Sequence, residues 1–201
     1  MTTESPKLVW NEAKIPQTST SVYEALYNRR MAWKFLDKPV ENAAIERMLN
    51  AAVWAPNHRL NEPWRFFVLP KDSPLRAPLG DAVFDALVEE WKNERRAAPY
   101  REKLLDPPML IYAYYVGDED WFVDKENYAA LCCALQNMSL AGVAEGLAVT
   151  WDTGRVTRVP AVDTILGAEE NWKVTALLSI GYPDENSESS RIPADQLTKW
   201  V

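Results

Sequence analysis

The sequence predicts an α+β fold, with a central mixed sheet flanked by helices. Two helical segments come before the first strand, later strands and helices follow without a regular repeat, and some strands lie far apart along the chain. This order is typical of α+β domains rather than of regular βαβ folds. We therefore expect residues 1–201 to form one domain with two arms, at 1–19 and at 184–201.

Two helices are predicted in the first quarter of the chain. The segment 18–30 predicts a helix, and within it Ser21 is followed by Glu24 at the spacing of a capping box. The segment 41–56 has apolar residues at helical spacing, and Pro56 is expected to stop it.

Short apolar or aromatic segments predict four strands, at 64–70, 109–117, 147–154 and 174–183. Further helices are predicted at 78–96, at 128–146, and in a short piece between the last two strands. The helix at 128–146 is apolar on nearly all sides, which in a chain of this size indicates a subunit interface. Apolar residues in 191–201 predict that the C-terminal arm docks rather than remaining disordered.

The composition argues against several classes of function. A net charge of −7 and a pI near 4.9 disfavour nucleic-acid binding. The longest apolar run, 109–116, is too short to span a bilayer, and the N-terminus lacks the apolar core of a signal peptide. One histidine and two adjacent cysteines cannot build a usual zinc site, and adjacent helical cysteines fit a reducing cytoplasm.

Four motifs stand in a fixed order along the chain. They are YNRRMAWKF (27–35), WAPNHRLNEPWRF (54–66), GLAVTWDTG (146–154) and SSRIPADQL (189–197). Taken together, from about Ser21 to Trp200, they resemble the FMN-dependent nitroreductase family, and its small single-domain members most closely. The resemblance implies a nitroreductase-like fold and an intertwined homodimer, with FMN at the interface and terminal arms that embrace the partner.

The resemblance also implies which residues bind the phosphate of FMN. Arg29 matches one phosphate-binding arginine and Arg191, in the tail, matches another; Arg30 and Met31 belong to the first motif. Two guanidinium groups, one from each end of the chain, would suit a phosphate dianion because each can bond it in a bidentate manner.

Other matched positions are expected to lie beside the flavin. Trp54 and His58 fall where similar proteins contact FMN from the second subunit. The segment Trp151, Asp152, Thr153 and Gly154 matches the loop that runs along the ring, where backbone N–H groups could reach N5 or O4. A turn histidine bonded to backbone and a core tryptophan are the alternative interpretations of His58 and Trp151.

Three positions depart from the family pattern. Met31 replaces a serine, Trp33 a cationic residue, and Glu62 a glutamine. The resemblance still implies an oxidoreductase in which NADH or NADPH gives a hydride to flavin N5, and a nitroaromatic, quinone or other small planar acceptor then takes the same place. No side chain is expected to be an obligatory acid or base. The alternatives are an FMN enzyme of another reaction type, such as a dehalogenase, and a degenerate flavin-binding dimer with a storage or interaction role.

Overall fold

A computed structural model describes residues 15–185 and 188–201, so most of the predicted N-terminal arm lies outside the described residues. The helices are α1 (Val22–Asn28), α2 (Asn42–Ala52), α3 (Arg76–Trp91), α4 (Glu94–Leu105), α5 (Trp121–Ala144) and α6 (Pro160–Leu166). The strands are β1 (Trp64–Pro70), β2 (Met109–Val116), β3 (Ala148–Asp152) and β4 (Trp172–Gly181).

The four strands form one sheet in the order β1-β2-β4-β3, and every hydrogen-bonded pair within the described residues is antiparallel. The prediction of a mixed sheet was therefore wrong. The strands β2 and β3, which α5 connects, do run in the same direction. They are not neighbours, however, because β4 lies between them and runs the opposite way.

Helices cover both faces of the sheet, as the strand pattern requires. On β2, Met109, Ile111 and Ala113 face a core formed with α2 and α5, while Leu110 and Tyr112 face a second core formed with α3, α4 and α6. Successive side chains of a strand point to opposite faces, so a strand buried on both sides reads as a continuous apolar run. The site described below lies at the β3 end of this three-layer arrangement.

The helix predictions succeeded where end signals were present. The capping box of Ser21 and Glu24 is formed, and Gly146 (φ 73°) follows the end of α5 in the left-handed conformation that favours glycine. The helix α2 ends at Ala52, earlier than the predicted stop at Pro56. The helix α5 begins at Trp121 instead of residue 128, because Asp120 caps it by accepting a bond from the backbone N–H of Phe122.

The predicted helix at 78–96 covers most of one helix and the start of another. Lys92 (φ 51°) ends α3 in a left-handed conformation, and the side chain of Asn93 then caps α4 by accepting a bond from the backbone N–H of Arg96. The sequence analysis missed α4, which contains Pro99 in its interior. Within the described residues, no helix combines the length and apolar character needed to cross a bilayer.

The C-terminal arm is exposed in the single chain. Its apolar side chains include Ile192, Leu197 and Trp200, with 62%, 72% and 92% of their surface accessible. They do not dock on their own chain, and docking on a partner subunit stays a prediction.

Candidate functional site

The two consecutive arginines of the first motif stand at the end of α1. Arg29 is the C-cap residue, and its backbone N–H donates to the carbonyl of Ala25. The guanidinium of Arg30 donates to the carbonyls of Tyr27 and Arg29, at 2.7 and 2.9 Å. Both side chains are half-buried. Positive charge at the carbonyl end of a helix is favourable, which helps to fix Arg30 in place.

The residues after these arginines are tied to the sheet. Ala32 is bonded through its N–H and its carbonyl to the hydroxyl of Thr150 on β3, at 3.0 and 2.5 Å. The N–H of Trp33 donates to the carboxylate of Glu185, and Phe35 forms an antiparallel bridge with Pro183. The segment 32–35 therefore lies across the ends of β3 and β4 rather than in a free loop.

Two clefts open on either side of Ala32, which lines both. The first, about 340 Å³, is lined by Arg30 and Met31 together with Gly146, Leu147 and Glu185. The second cleft has a volume of about 470 Å³. Its lining includes Trp33, Lys34, Lys103 and Asp152.

The predicted ring-side loop is held by its own carboxylate. Asp152 accepts the N–H of Gly154 at 2.7 Å through one oxygen and the ammonium of Lys103 at 2.5 Å through the other. Gly154 has φ −80°, so its backbone does not need glycine for a left-handed conformation. A Cβ at this position would, however, lie 2.9 Å from Asp152 Oδ1. The N–H expected to reach a flavin is therefore bonded to Asp152, and Thr153 beside it is exposed.

Trp151 packs against the core beneath α2 and α5, as the core interpretation expected. Its Nε1–H is nevertheless buried and has no acceptor within the described part of the chain. A buried indole N–H without a partner is unusual, because desolvating a donor is costly unless a bond replaces the lost water.

The second motif forms a strained turn. The side chain of Asn57 accepts the backbone N–H of Glu62 at 2.9 Å, which closes the turn. Arg59, Leu60 and Glu62 have φ values of 52°, 55° and 48°, in the left-handed region that non-glycine residues rarely adopt. Backbone strain of this kind clusters at ligand-binding sites and switch regions.

The two residues of this motif predicted to contact flavin are both accessible. The indole of Trp54 is 51% exposed. The Nδ1 of His58 lies 4.0 Å from a carboxylate oxygen of Glu126 on α5, with both side chains about half exposed. The alternative of a turn histidine bonded to backbone finds no support in these contacts.

Arg191 is exposed, and its guanidinium donates to the hydroxyl of Ser189 and to the carbonyl of Ser190. These bonds are local to the tail. The convergence of Arg29 and Arg191 on one phosphate therefore stays a prediction.

Two residues of the site were missed from the sequence. Thr150 stands inside the third motif but was read only as a strand residue, and nothing in the sequence linked it to Ala32, 118 residues away. Lys103 belongs to α4, the helix that the sequence analysis did not predict, so its pairing with Asp152 had no signal.

Comparison with known proteins identifies the family of the chain. The pattern of the Nitroreductase family matches residues 26–182. The protein therefore has a nitroreductase-like fold, and the chain belongs to the nitroreductase family.

Particular relatives show how close the match is. YfhC of Bacillus subtilis, named as a candidate NAD(P)H nitroreductase, is 28% identical over 166 residues, which cover 82% of this chain and 86% of the relative. An iodotyrosine deiodinase of Nematostella vectensis is 24% identical over 194 residues, covering 88% and 72%.

Two solved structures are also similar. A nitroreductase-like protein of Bacillus cereus superimposes with a TM-score of 0.82 at 29% identity, covering 92% of this chain and 98% of that one. A candidate nitroreductase of Desulfovibrio desulfuricans, solved in complex with FMN, gives 0.73 at 25% identity, with the same coverage.

Proposed function

We propose that the protein is an FMN-dependent oxidoreductase that uses NADH or NADPH to reduce a small planar acceptor such as a nitroaromatic or a quinone. The observation that carries the proposal is the pair Arg29–Arg30, held at the edge of a cleft by a segment pinned to the sheet. The relative in complex with FMN and the relatives named as nitroreductases support the choice of cofactor and donor.

The arginines near the first cleft and in the tail fit the phosphate end of FMN. Arg29 and Arg30 are consecutive, and Arg30 lines the first cleft. The tail leaves from the same place, because Glu185 bonds the N–H of Trp33. Arg191 is six residues further on and can reach about 20 Å from Glu185. Two arginines from opposite ends of a chain can therefore meet one phosphate, from one subunit or from two.

The residues also fit the ring end. Trp54 offers an exposed aromatic face, and Trp151 a buried N–H that has no protein acceptor in the described residues. Aromatic faces stack on flat heterocycles, and a carbonyl of such a ring could accept an indole proton. Thr153 and Gly154 lie two and three positions beyond Trp151, so they would edge the same ring.

A homodimer accounts for the exposed apolar surface. Tyr23 on α1 and Trp121 and Phe122 on α5 are 73%, 62% and 70% exposed, in addition to the apolar tail. Exposed apolar surface of this extent marks an interaction site in a soluble protein. We propose that a second copy of the chain covers it and brings its own Trp54 and His58 to the cofactor. Both cysteines are free thiols, which suits the proposed cytoplasmic location.

When bound, FMN would supply the hydride chemistry, accepting from a reduced nicotinamide and passing electrons to the acceptor. The chain binds the phosphate, orients the ring and leaves one face open, so that donor and acceptor use the same place in turn. Because protons can come from water, the proposed reaction needs no obligatory acid or base among the side chains.

The direct test is an anaerobic titration of the FMN-loaded protein with NADH and, separately, with NADPH. The oxidised flavin absorbance should disappear with at least one of them and return when a nitroaromatic or a quinone is added. Flavin that stays oxidised with both nicotinamides would contradict the reductase proposal and favour a storage or interaction role.

The relationship to an iodotyrosine deiodinase supports a second candidate, an FMN-dependent dehalogenase. A lid over the substrate would have to come from residues 71–108. In the structure, α3 and α4 fill this range and bury Leu79, Val83 and Leu104 against the sheet. Release of halide from a halogenated phenol by the chemically reduced protein, faster than reduction of any nitroaromatic, would favour this candidate.

A further inference from the structure

We propose that Thr150 is a positioning residue for FMN. Its hydroxyl fixes the spacing between the arginines of the first motif and the ring-side loop, without touching the cofactor itself. The inference rests on the proposed function, because it concerns how the same site is held in shape.

A single hydroxyl satisfies both backbone polar groups of Ala32. Thr150 Oγ1 accepts the N–H of Ala32 at 3.0 Å and donates to its carbonyl at 2.5 Å. A hydroxyl can do both, because it carries one donor and two acceptor lone pairs. Thr150 is 3% exposed and Ala32 is 2% exposed, so water cannot replace these bonds easily. The contact therefore works like a one-residue bridge between β3 and the chain that follows α1.

The bridge joins the two parts of the proposed cofactor site. On one side, Arg29 and Arg30 precede Ala32 by three and two residues. On the other, Thr150 precedes Trp151, the first residue of the ring-side loop, and its backbone is in register with Ser179 of β4. The ribityl chain limits how far the phosphate of FMN can lie from its ring, so the two protein segments must stay within that span to hold both.

Among the residues that the structure describes, no other hydrogen bond of Ala32 links it to the sheet. The residues after Ala32 are anchored elsewhere: Trp33 to Glu185 and Phe35 to Pro183. Arg30 and Met31 connect it to Arg29, the C-cap residue of α1. Losing the hydroxyl would therefore remove the link between this stretch and β3, while β3 and the 33–35 anchors stay in place.

The neighbouring strand supplies a matched control. Thr175 on β4 is also buried, at 7% exposed, but its hydroxyl has no hydrogen-bond partner within the described residues. Thr→Val exchanges a hydroxyl for a methyl group of nearly the same size. The same change at 150 and at 175 therefore compares a bonded hydroxyl with an unbonded one.

The experiment measures the FMN dissociation constant of the apoprotein by flavin fluorescence, for wild type, Thr150→Val, Thr150→Ser and Thr175→Val. We expect Thr150→Val to raise the dissociation constant about tenfold or more, Thr150→Ser to stay within about threefold of wild type, and Thr175→Val to leave it unchanged, in line with the cost of unpaired buried groups. Amide hydrogen exchange of Ala32 in the apoprotein should accelerate only in Thr150→Val, a result independent of the cofactor.

A double-mutant cycle separates positioning from a general loss of stability. If Thr150 acts by holding Arg29, Thr150→Val should weaken FMN binding much less in an Arg29→Ala background than in wild type. Should Thr150→Val not fold, Thr150→Cys takes its place. Its thiol is only a weak donor and acceptor, so its dissociation constant should lie between those of wild type and a variant without a hydroxyl.

Equal FMN affinity in Thr150→Val and wild type would overturn the inference and leave the proposed function standing. The same fold-loss in both backgrounds of the cycle would also overturn it. A wild-type protein that binds no FMN would remove the proposed function, and this inference with it.

Discussion

The two faces of the sheet differ in how completely their buried polar groups are hydrogen-bonded. On the side of α3, α4 and α6, the buried guanidinium of Arg76 donates four bonds to the carbonyls of Leu69, Pro107 and Pro108. The hydroxyls of Tyr112 and Tyr114, on the same face of the sheet, also have partners, in Val156 and Asp163. This side is complete as a single chain.

On the other side of the sheet, which packs against α2 and α5, some groups lack partners within the described chain. The turn at 57–62 holds three non-glycine residues in the left-handed region, Trp54 is half exposed, and the Nε1–H of Trp151 is buried without an acceptor in the described residues. Strain, exposed apolar surface and an unpaired donor thus occur together, in the parts of the chain where we propose FMN and a second subunit. The contrast teaches that the incomplete side is built for contacts that one chain alone does not make.

Two tryptophans of the same motif test this contrast with the largest expected effect. Trp64 is 7% exposed and lies in the core, whereas Trp54 is 51% exposed. Trp64→Ala should lower the free energy of unfolding of the FMN-free protein by about 4 kcal/mol. Trp54→Ala should lower it by less than about 1 kcal/mol while weakening FMN binding. Urea unfolding of both variants at one protein concentration measures the two changes in the free energy of unfolding. Equal losses of stability in Trp64→Ala and Trp54→Ala would contradict the contrast between the two sides.

The complete side should be sensitive to loss of its buried cation. Arg76→Met leaves the carbonyls of Leu69 and Pro107 without donors, and should cost about 3 kcal/mol in the free energy of unfolding. Burial lowers the pKa of Arg76 to about 10, so the group is still charged at neutral pH. The FMN dissociation constant of the folded variant should not change. A large loss of FMN affinity at unchanged stability would show that Arg76 itself supports the site.

Several elements of the fold could be predicted from the sequence, because their signals are local. The apolar runs of β1 and β2 and the capping box of α1 identify elements without knowledge of the rest of the chain. The direction of the strands could not be predicted. It depends on where β4 inserts, and β4 lies more than 50 residues after β2.

The site was only half predictable for the same reason. The motif residues could be named from the sequence, but the bonds that hold them were not visible there. Thr150 bonds Ala32, which is far away in the sequence. Lys103 pairs with Asp152 from α4, a helix that its interior proline and charged start make hard to predict. The exposed tail has no counterpart in its own chain, so its docking cannot be judged from one subunit.

The strained turn gives a smaller effect, because relief of its strain should nearly cancel the usual cost of a glycine substitution. Leu60 has φ 55°, a conformation that costs an L-residue about 1–2 kcal/mol and glycine almost nothing. Leu60→Gly should therefore change the free energy of unfolding by less than about 0.5 kcal/mol, because the relief of strain offsets the added entropy of the unfolded chain. Val68→Gly, on the regular strand β1, should cost at least about 1 kcal/mol. Similar losses at both positions would argue that the turn is not strained.

The ion pair between Arg47 on α2 and Glu145 at the end of α5 gives the smallest effect. The guanidinium donates two bonds to the carboxylate, and these bonds lower the pKa of Glu145. The unfolded chain therefore binds the proton more tightly. The stabilisation is present at neutral pH and is lost as the pH falls from about 4.5 through the lowered folded-state pKa.

Glu145→Gln should accordingly lower the urea midpoint at pH 7, and its difference from wild type should shrink at acid pH. The exposed Glu170 serves as control, since Glu170→Gln should give no comparable difference at either pH. A difference for Glu145→Gln that is constant from pH 7 to pH 3 would contradict the pairing.

The central claim is that arginines from the two ends of the chain hold one phosphate of FMN, and the FMN affinity of the double variant Arg29→Ala/Arg191→Ala tests it most directly. Two charge-assisted contacts, each worth about 1.5–3 kcal/mol, predict a dissociation constant at least about 100-fold above that of wild type. The single variants should each show part of this loss. A double variant that retains FMN as tightly as wild type would contradict the account.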